Sequence, residues 1–223
     1  MLEIALGEEA WYTGGDATWE GEFGMMIDLK RGKTAIFIGS SVCVGSGATN
    51  DRGWSTMMAE RMARNGWVTS NCAIGGQTTA DILLRLRRDV IDHAPAVCIV
   101  GLGLSNEGLS TAENLAVPCG IFLSNMKKIV QALEEAGIFP IVGGVYPNDD
   151  YTPEQYVWLR RVYDEMDTWE VPVLQWLDGI EDGHGHYPEG WAHDPWHPND
   201  EGYRHYYENI PQRVWEILGC EKE

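Results

Sequence analysis

The amino-acid sequence predicts an α/β protein, a three-layer α/β/α sandwich built around a central five-stranded parallel sheet. Short apolar segments of strand length alternate with amphipathic helical segments, as repeated strand–helix–strand units require. Several of these segments are apolar throughout instead of at alternate positions, which is typical of strands buried on both faces. With 223 residues, 44% of them hydrophobic, the chain is long enough to bury such a sheet.

The predicted strands begin after residue 33. They are TAIFIG (34–39), WVTSNC (67–72), AVCIVGLG (96–103), IFPIVGGV (138–145) and VPVLQW (171–176). Each has six or eight residues, a usual length for a strand.

The segments between and after the strands carry helical patterns. We predict helices over residues 52–65, 79–91, 121–136, 152–167 and 199–218. Thr152 and Gln155 match a capping box, and Pro153 suits the first helical position. Gly137 is suited to end the third helix, and Pro211 should interrupt the last one.

Residues 1–33 do not follow this alternation and are rich in glycine and aromatic residues. We interpret them as an N-terminal extension, either adding an edge strand through MMIDL (25–29) or left from an upstream module. Residues 34–218 form the predicted α/β domain, and 219–223 form a tail. The opening residues lack the basic segment and apolar run of a secretory signal, and no apolar run is long enough to span a bilayer.

The charge of the chain restricts its partners. Lys and Arg number 16 against 34 Asp and Glu, giving a formal net charge of −18. Such a field repels phosphate backbones and anionic lipid surfaces, so we expect no nucleic-acid partner and no membrane insertion.

The cysteines do not indicate a disulfide framework. Their number is odd, they are scattered, and none forms a C-x-x-C pair: Cys43, Cys72, Cys98, Cys119 and Cys220. This usage favours a reducing compartment and hence a cytoplasmic location.

Polar segments lie where the chemistry of such a fold is expected, because open parallel sheets bind ligands beyond the carboxyl ends of their strands. Three of them follow the first three strands: 39–45 (GSSVCVG), 71–79 (NCAIGGQTT) and 103–108 (GLSNEG). The fourth, 194–199 (DPWHPN), ends the long loop after the fifth strand. The topology should bring all of these segments to one edge.

Together these segments contain the groups needed for acyl transfer. Ser41, on a Gly-flanked turn, is the candidate nucleophile, and His197 is the candidate general base. Asp194, three residues before the histidine, can orient its ring and stabilise the imidazolium. The main-chain N–H groups of Ser41 and Gly76, with the Asn106 amide, can donate to a developing oxyanion.

In these four segments the chain resembles the SGNH (GDSL-type) hydrolase family of serine esterases and lipases, over about residues 34–218. The resemblance implies the flavodoxin-like SGNH hydrolase fold and assigns the nucleophile to Ser41. It gives the oxyanion positions to Gly76 and Asn106, and the D-x-x-H pair to Asp194 and His197.

Two segments depart from the family pattern. The family's Gly-Asp-Ser is Gly39-Ser40-Ser41 here, so the nucleophile lacks an acidic neighbour; Ser41 keeps the family spacing to Gly39 and Gly45. The third segment reads Gly-Leu-Ser-Asn-Glu where the family usually has Gly-x-Asn-Asp, which shifts the spacing before Asn106 by one residue.

The resemblance implies a serine esterase acting on short-chain acyl esters, with acetyl groups on carbohydrates as the suggested substrate. An O-acyltransferase using the same site, or a catalytically silent ligand-binding relative, are the alternatives. We expect a small-molecule or carbohydrate ester as partner. Three of the ten tryptophans, Trp54, Trp191 and Trp196, lie near the predicted site in sequence and are candidate substrate contacts.

Other enzyme classes match the sequence less well. The G-x-G segments at Gly45 and Gly101 have asparagine at the sixth position of a dinucleotide fingerprint, and no G-x-S-x-G elbow surrounds Ser41. A metal site is a further alternative, because six potential ligands crowd one segment: Asp182, His184, His186, His193, Asp194 and His197. The family needs no metal, and we predict neither a metal nor a cofactor.

Overall fold

The structure, a computed structural model, describes residues 27–221 and contains a five-stranded sheet whose neighbouring strands all run parallel. The strands are β1 (Thr34–Gly39), β2 (Val68–Asn71), β3 (Val97–Gly101), β4 (Phe139–Gly143) and β5 (Val173–Leu174), in the order β2-β1-β3-β4-β5. A separate two-stranded ribbon pairs β6 (Ala192–Asp194) antiparallel with β7 (His197–Pro198). The predicted five-stranded parallel sheet is confirmed.

All five predicted helical segments contain helices, and a short helix that was not predicted, α1 (Ser41–Val44), follows β1. The other helices are α2 (Trp54–Arg64), α3 (Thr79–Asp89), α4 (Ala116–Glu135), α5 (Pro153–Asp167), α6 (Asp200–Glu208) and α7 (Gln212–Ile217). The break between α6 and α7 contains Pro211, as predicted. Helix α4 starts earlier than predicted, and Pro118 is tolerated there because first-turn N–H groups have no partner within the helix.

Strand β1 shows how the sheet divides the core into two halves. Ala35 and Phe37 pack on one face, in a cluster with residues of α2, α6 and α7. Ile36 and Ile38 pack on the other face, with residues of α3, α4 and α5. Successive side chains of a strand point to opposite faces, and all four are buried here. The strand is therefore apolar without interruption from Ala35 to Ile38 because helices cover both faces, which gives the predicted three layers.

The described part of the N-terminal extension contains one 3-10 turn, Leu29–Arg31, and a buried Ile27 that belongs to the same core cluster as Ala35 and Phe37. Residues 27–29 are not in a strand, and Met25 and Met26 of the candidate edge strand lie outside the described residues. The division into extension, domain and tail stays a prediction.

Two further observations concern the whole described chain. All five cysteines are free thiols. Within residues 27–221, none of the helices combines the length and the apolar character needed to cross a bilayer.

Candidate active site

The turn after β1 distinguishes two adjacent serines. Ser40 is fully buried, whereas Ser41 starts α1 and lines a pocket. Gly39 must be glycine because a Cβ there would lie 2.0 Å from the main-chain oxygen of Gly101 in the neighbouring strand. The main-chain N–H of Ser41 belongs to the first turn of α1, where it has no acceptor within the helix. The turn therefore places Ser41 in the pocket wall, with a main-chain N–H that no helical carbonyl takes up.

The β6–β7 ribbon holds an Asp–His pair. The Nδ1 atom of His197 lies 2.9 Å from both carboxylate oxygens of Asp194. The Oδ1 atom of Asp194 also accepts the main-chain N–H groups of Trp196 and His197, each at 2.9 Å. These contacts hold the carboxylate beside the ring. Asp194 contacts the Nδ1 atom of the ring and not Nε2. His197 lines the same pocket as Ser41.

The electrostatics of Asp194 favour its charged form. Partial burial pushes the pKa of this carboxyl upward, but hydrogen bonds from the His197 ring and from two main-chain N–H groups outweigh it and leave the pKa below its usual value. Asp194 is therefore an anion near neutral pH, and Nδ1 of His197 is the donor in their hydrogen bond.

Two further loops line the pocket through Gly76 and Asn106. Gly76 lines it with φ +78°, a left-handed conformation that favours glycine, and a Cβ there would meet nothing within 4 Å. Asn106 also lines it and donates from Nδ2 to the main-chain oxygen of Gln77 at 3.1 Å. An amide nitrogen has two donors, so one N–H of Asn106 is left for a ligand. Glu107 accepts the N–H of Thr79 and ties the two loops together a second time.

One cavity of about 540 Å³ collects these groups. Ser41, Gly76, Asn106 and His197 all line it, and Asp194 stands behind His197. Sequence reasoning missed seven of its other lining residues: Ser46, Ser105, Ser110, Thr111, Tyr146, Asn148 and Asp150. Of the pocket-lining residues in the described chain, none is Lys or Arg, and Asp150 is the one carboxylate.

The loop after β4 contributes Tyr146, Asn148 and Asp150. Because ligands bind beyond the carboxyl ends of parallel strands, the position of this loop after β4 is the signal that could have identified it. Asn148 is almost fully buried and donates from Nδ2 to the Ser105 hydroxyl at 3.0 Å. Burial raises the pKa of Tyr146 to about 12, so this phenol stays protonated and can donate.

The structure separates the three candidate tryptophans. Trp196 lines the pocket, is half exposed and donates from Nε1 to Asp150 at 2.8 Å. Trp54 does not reach the pocket, because it is fully buried between Phe37 and other core rings at the start of α2. Trp191 is also absent from the pocket lining, and its ring stacks on His205 at 3.6 Å between centroids. The expectation that Trp54 and Trp191 contact substrate is therefore corrected.

The His-rich segment has structural contacts of its own. Asp182 accepts the main-chain N–H groups of His184 and His186, at 2.8 and 3.2 Å, and the Nε2 atom of His186 lies 2.8 Å from the Tyr151 carbonyl. Within residues 27–221, no three side chains of His, Cys, Asp or Glu are grouped so that they could hold a metal ion.

Comparison with known proteins gives the family. A sequence model of the GDSL-like lipase/acylhydrolase family matches residues 37–205, most of the chain and every segment that lines the cavity. The chain belongs to the GDSL-like lipase/acylhydrolase family. It is 24% identical over 160 residues to Esterase TesA of Pseudomonas aeruginosa, an alignment that covers 70% of this chain and 77% of that protein.

Solved structures of the GDSL family have the same fold. A crystal structure of TesA matches with a TM-score of 0.64 at 23% identity, covering 83% of this chain and 97% of that one. A catalytic mutant of Axe2, an acetylxylan esterase from Geobacillus stearothermophilus, matches with a TM-score of 0.62 at 14% identity, covering 85% and 95%. At these identities the likeness concerns the fold.

Proposed function

We propose that this GDSL-family protein is a metal-independent serine esterase that hydrolyses short acyl esters through Ser41, His197 and Asp194. One observation carries the proposal. Four loops bring Ser41, Gly76, Asn106 and His197 to one cavity, and Asp194 is hydrogen-bonded to the far side of the His197 ring.

The chemistry proceeds in two steps. Ser41 Oγ attacks the ester carbonyl while His197 Nε2 takes its proton, and the same proton then protonates the departing alcohol. This leaves an acyl group on Ser41. Water attacks the acyl-enzyme with His197 again as base, releasing the carboxylic acid and restoring the serine. In both steps the N–H groups of Ser41, Gly76 and Asn106 stabilise the negative oxygen.

The cavity supports a small, polar substrate. Its volume of about 540 Å³ is shared between acyl group, alcohol and reacting atoms. Eight of its twelve lining residues carry a hydroxyl or amide side chain, and these groups can hydrogen-bond an alcohol that has several hydroxyl groups. One protein of the same fold, Axe2, is named an acetylxylan esterase, a name that denotes activity on an acetylated polysaccharide. The substrates that we propose for this chain are acetyl esters of carbohydrates.

The first experiment compares p-nitrophenyl acetate, butyrate and octanoate with wild type, Ser41→Ala and Ser40→Ala, with and without EDTA. We expect turnover that survives EDTA, decreases with chain length and is lost in Ser41→Ala. The fully buried Ser40 is the matched control, and its variant should keep activity if folded. Loss only in Ser40→Ala would overturn the assignment of the nucleophile, and loss on EDTA would overturn metal independence.

The same assay distinguishes hydrolysis from acyl transfer. With an added sugar as competing acceptor, a hydrolase releases free acetate as its main product. Predominant formation of the sugar acetate would instead establish the O-acyltransferase alternative. Absence of turnover with every ester would leave the ligand-binding alternative.

A further inference from the structure

Arg85 is a buried cation behind the loops that carry the candidate oxyanion donors. It lies on α3 and is 7% exposed. Its charge is paired with Asp89 at 2.8 Å, one helical turn further on. A buried guanidinium is costly unless its donors are satisfied, and three further oxygen atoms lie within hydrogen-bonding distance of Arg85.

Those contacts hold both ends of one loop. The Nη1 atom donates to the main-chain oxygen of Cys72 at 2.7 Å, where the loop leaves β2. The Nε atom donates to the side-chain oxygen of Gln77 at 2.6 Å, where the loop reaches α3. Gly76, a proposed oxyanion donor, directly precedes Gln77.

The same contacts extend to the other two donors. The main-chain oxygen of Gln77 accepts the Asn106 amide, so Gln77 connects Arg85 to the third loop. The Nη2 atom of Arg85 points to the main-chain oxygen of Gly39 at 3.5 Å, two residues before Ser41. One guanidinium therefore contacts, directly or through Gln77, all three segments that carry the proposed donors.

We propose that Arg85 is a positioning residue that sets the N–H groups of Gly76 and Asn106 relative to Ser41; this rests on the esterase function proposed above. Arg85 touches no substrate and acts through the loop. Its planar fork makes bonds in several fixed directions at once, which the single ammonium of a lysine does not reproduce. Because oxyanion donors act mainly in the transition state, their misplacement lowers kcat more than it raises KM.

The test is steady-state kinetics on p-nitrophenyl acetate with Arg85→Met, Arg85→Lys and Gln77→Ala, each checked by thermal unfolding. The matched control is Arg88→Met, because Arg88 pairs with the same Asp89 from the same helix but its side chain is 76% exposed. We expect kcat to fall about 100-fold in Arg85→Met, with KM within about threefold. Arg85→Lys should recover part of the loss, and Arg88→Met should match wild type.

Gln77→Ala removes the same contact from the loop side and keeps the Arg85–Asp89 ion pair, so it tests the proposal if Arg85→Met does not fold. We expect its kcat to fall about tenfold. A folded Arg85→Met or Gln77→Ala with wild-type kcat, or an equal loss in Arg88→Met, would overturn the positioning role. Activity surviving in Ser41→Ala would instead refute the esterase mechanism itself, so the two failures are distinguishable.

Discussion

Replacing Asp194 by asparagine tests the proposed triad at one atom. The Oδ1 atom of Asp194 accepts two main-chain N–H groups at 2.9 Å, so an asparagine keeps its carbonyl oxygen there. Its NH2 group then takes the place of Oδ2, so that Nδ1 of His197 has a donor at 2.9 Å beside the Oδ1 acceptor at the same distance. A donor at that point favours the tautomer with its proton on Nε2, the atom that must accept the proton of Ser41.

We expect Asp194→Asn to lower kcat by about 10⁴, the effect of this substitution in another serine hydrolase triad. The corresponding rise in the activation barrier is about 5.5 kcal/mol. The assay is hydrolysis of p-nitrophenyl acetate at saturating concentration, with thermal unfolding to confirm the fold.

Asp182→Asn is the matched control, since Asp182 also accepts two main-chain N–H groups near the site but lies on the separate His-rich turn. It should keep wild-type kcat. A folded Asp194→Asn enzyme within tenfold of wild type would refute the orienting role of Asp194.

Four further predictions concern stability and the pocket. Hydrogen bonds from two arginines of α3 hold the pKa of Asp89 below its usual range, so its stabilisation is complete above about pH 4 and is lost on further acidification. The decrease in Tm below that pH should be smaller in Asp89→Asn than in wild type, and identical curves would contradict this. Trp54→Ala should cost about 3–5 kcal/mol in urea unfolding. Trp196→Ala should change KM for acetylated sugars with little change in stability, and an unchanged KM would remove Trp196 from the substrate site. Gly39→Ala should cost about 3 kcal/mol, because its Cβ would collide with backbone that cannot give way; a wild-type Tm would disprove the clash.

The fold could be predicted because the patterns that indicate its strands and helices each lie within one short segment of the sequence. Strand β1 is apolar from Ala35 to Ile38 since both of its faces are covered, and its observed bounds, Thr34–Gly39, equal the predicted ones. Strand β5 was predicted over six residues, but only Val173–Leu174 pair with β4. The length of an edge strand such as β5 depends on how many of its residues find partners in the neighbouring strand, and the sequence of the edge segment alone does not contain that information.

The candidate site could be predicted in part for the same reason. Strand ends identified the loops of Ser41, Gly76 and Asn106, and topology brought them to one edge. The side-chain directions could not be read from the sequence. Trp54 lies close to Ser41 along the chain, yet the first turn of α2 points it into the core, whereas Trp196 reaches the pocket by its contact with Asp150.

The charge of the cavity wall has a consequence for product release. Ester hydrolysis converts a neutral substrate into an alcohol and a carboxylate, which is an anion at neutral pH. The pocket-lining residues of the described chain include no Lys or Arg to hold this anion, and Asp150 repels it. In a protein of formal net charge −18 the field beyond the pocket mouth favours its escape as well. The acid product should therefore compete poorly with fresh substrate, so that turnover proceeds at high concentrations of accumulated acetate.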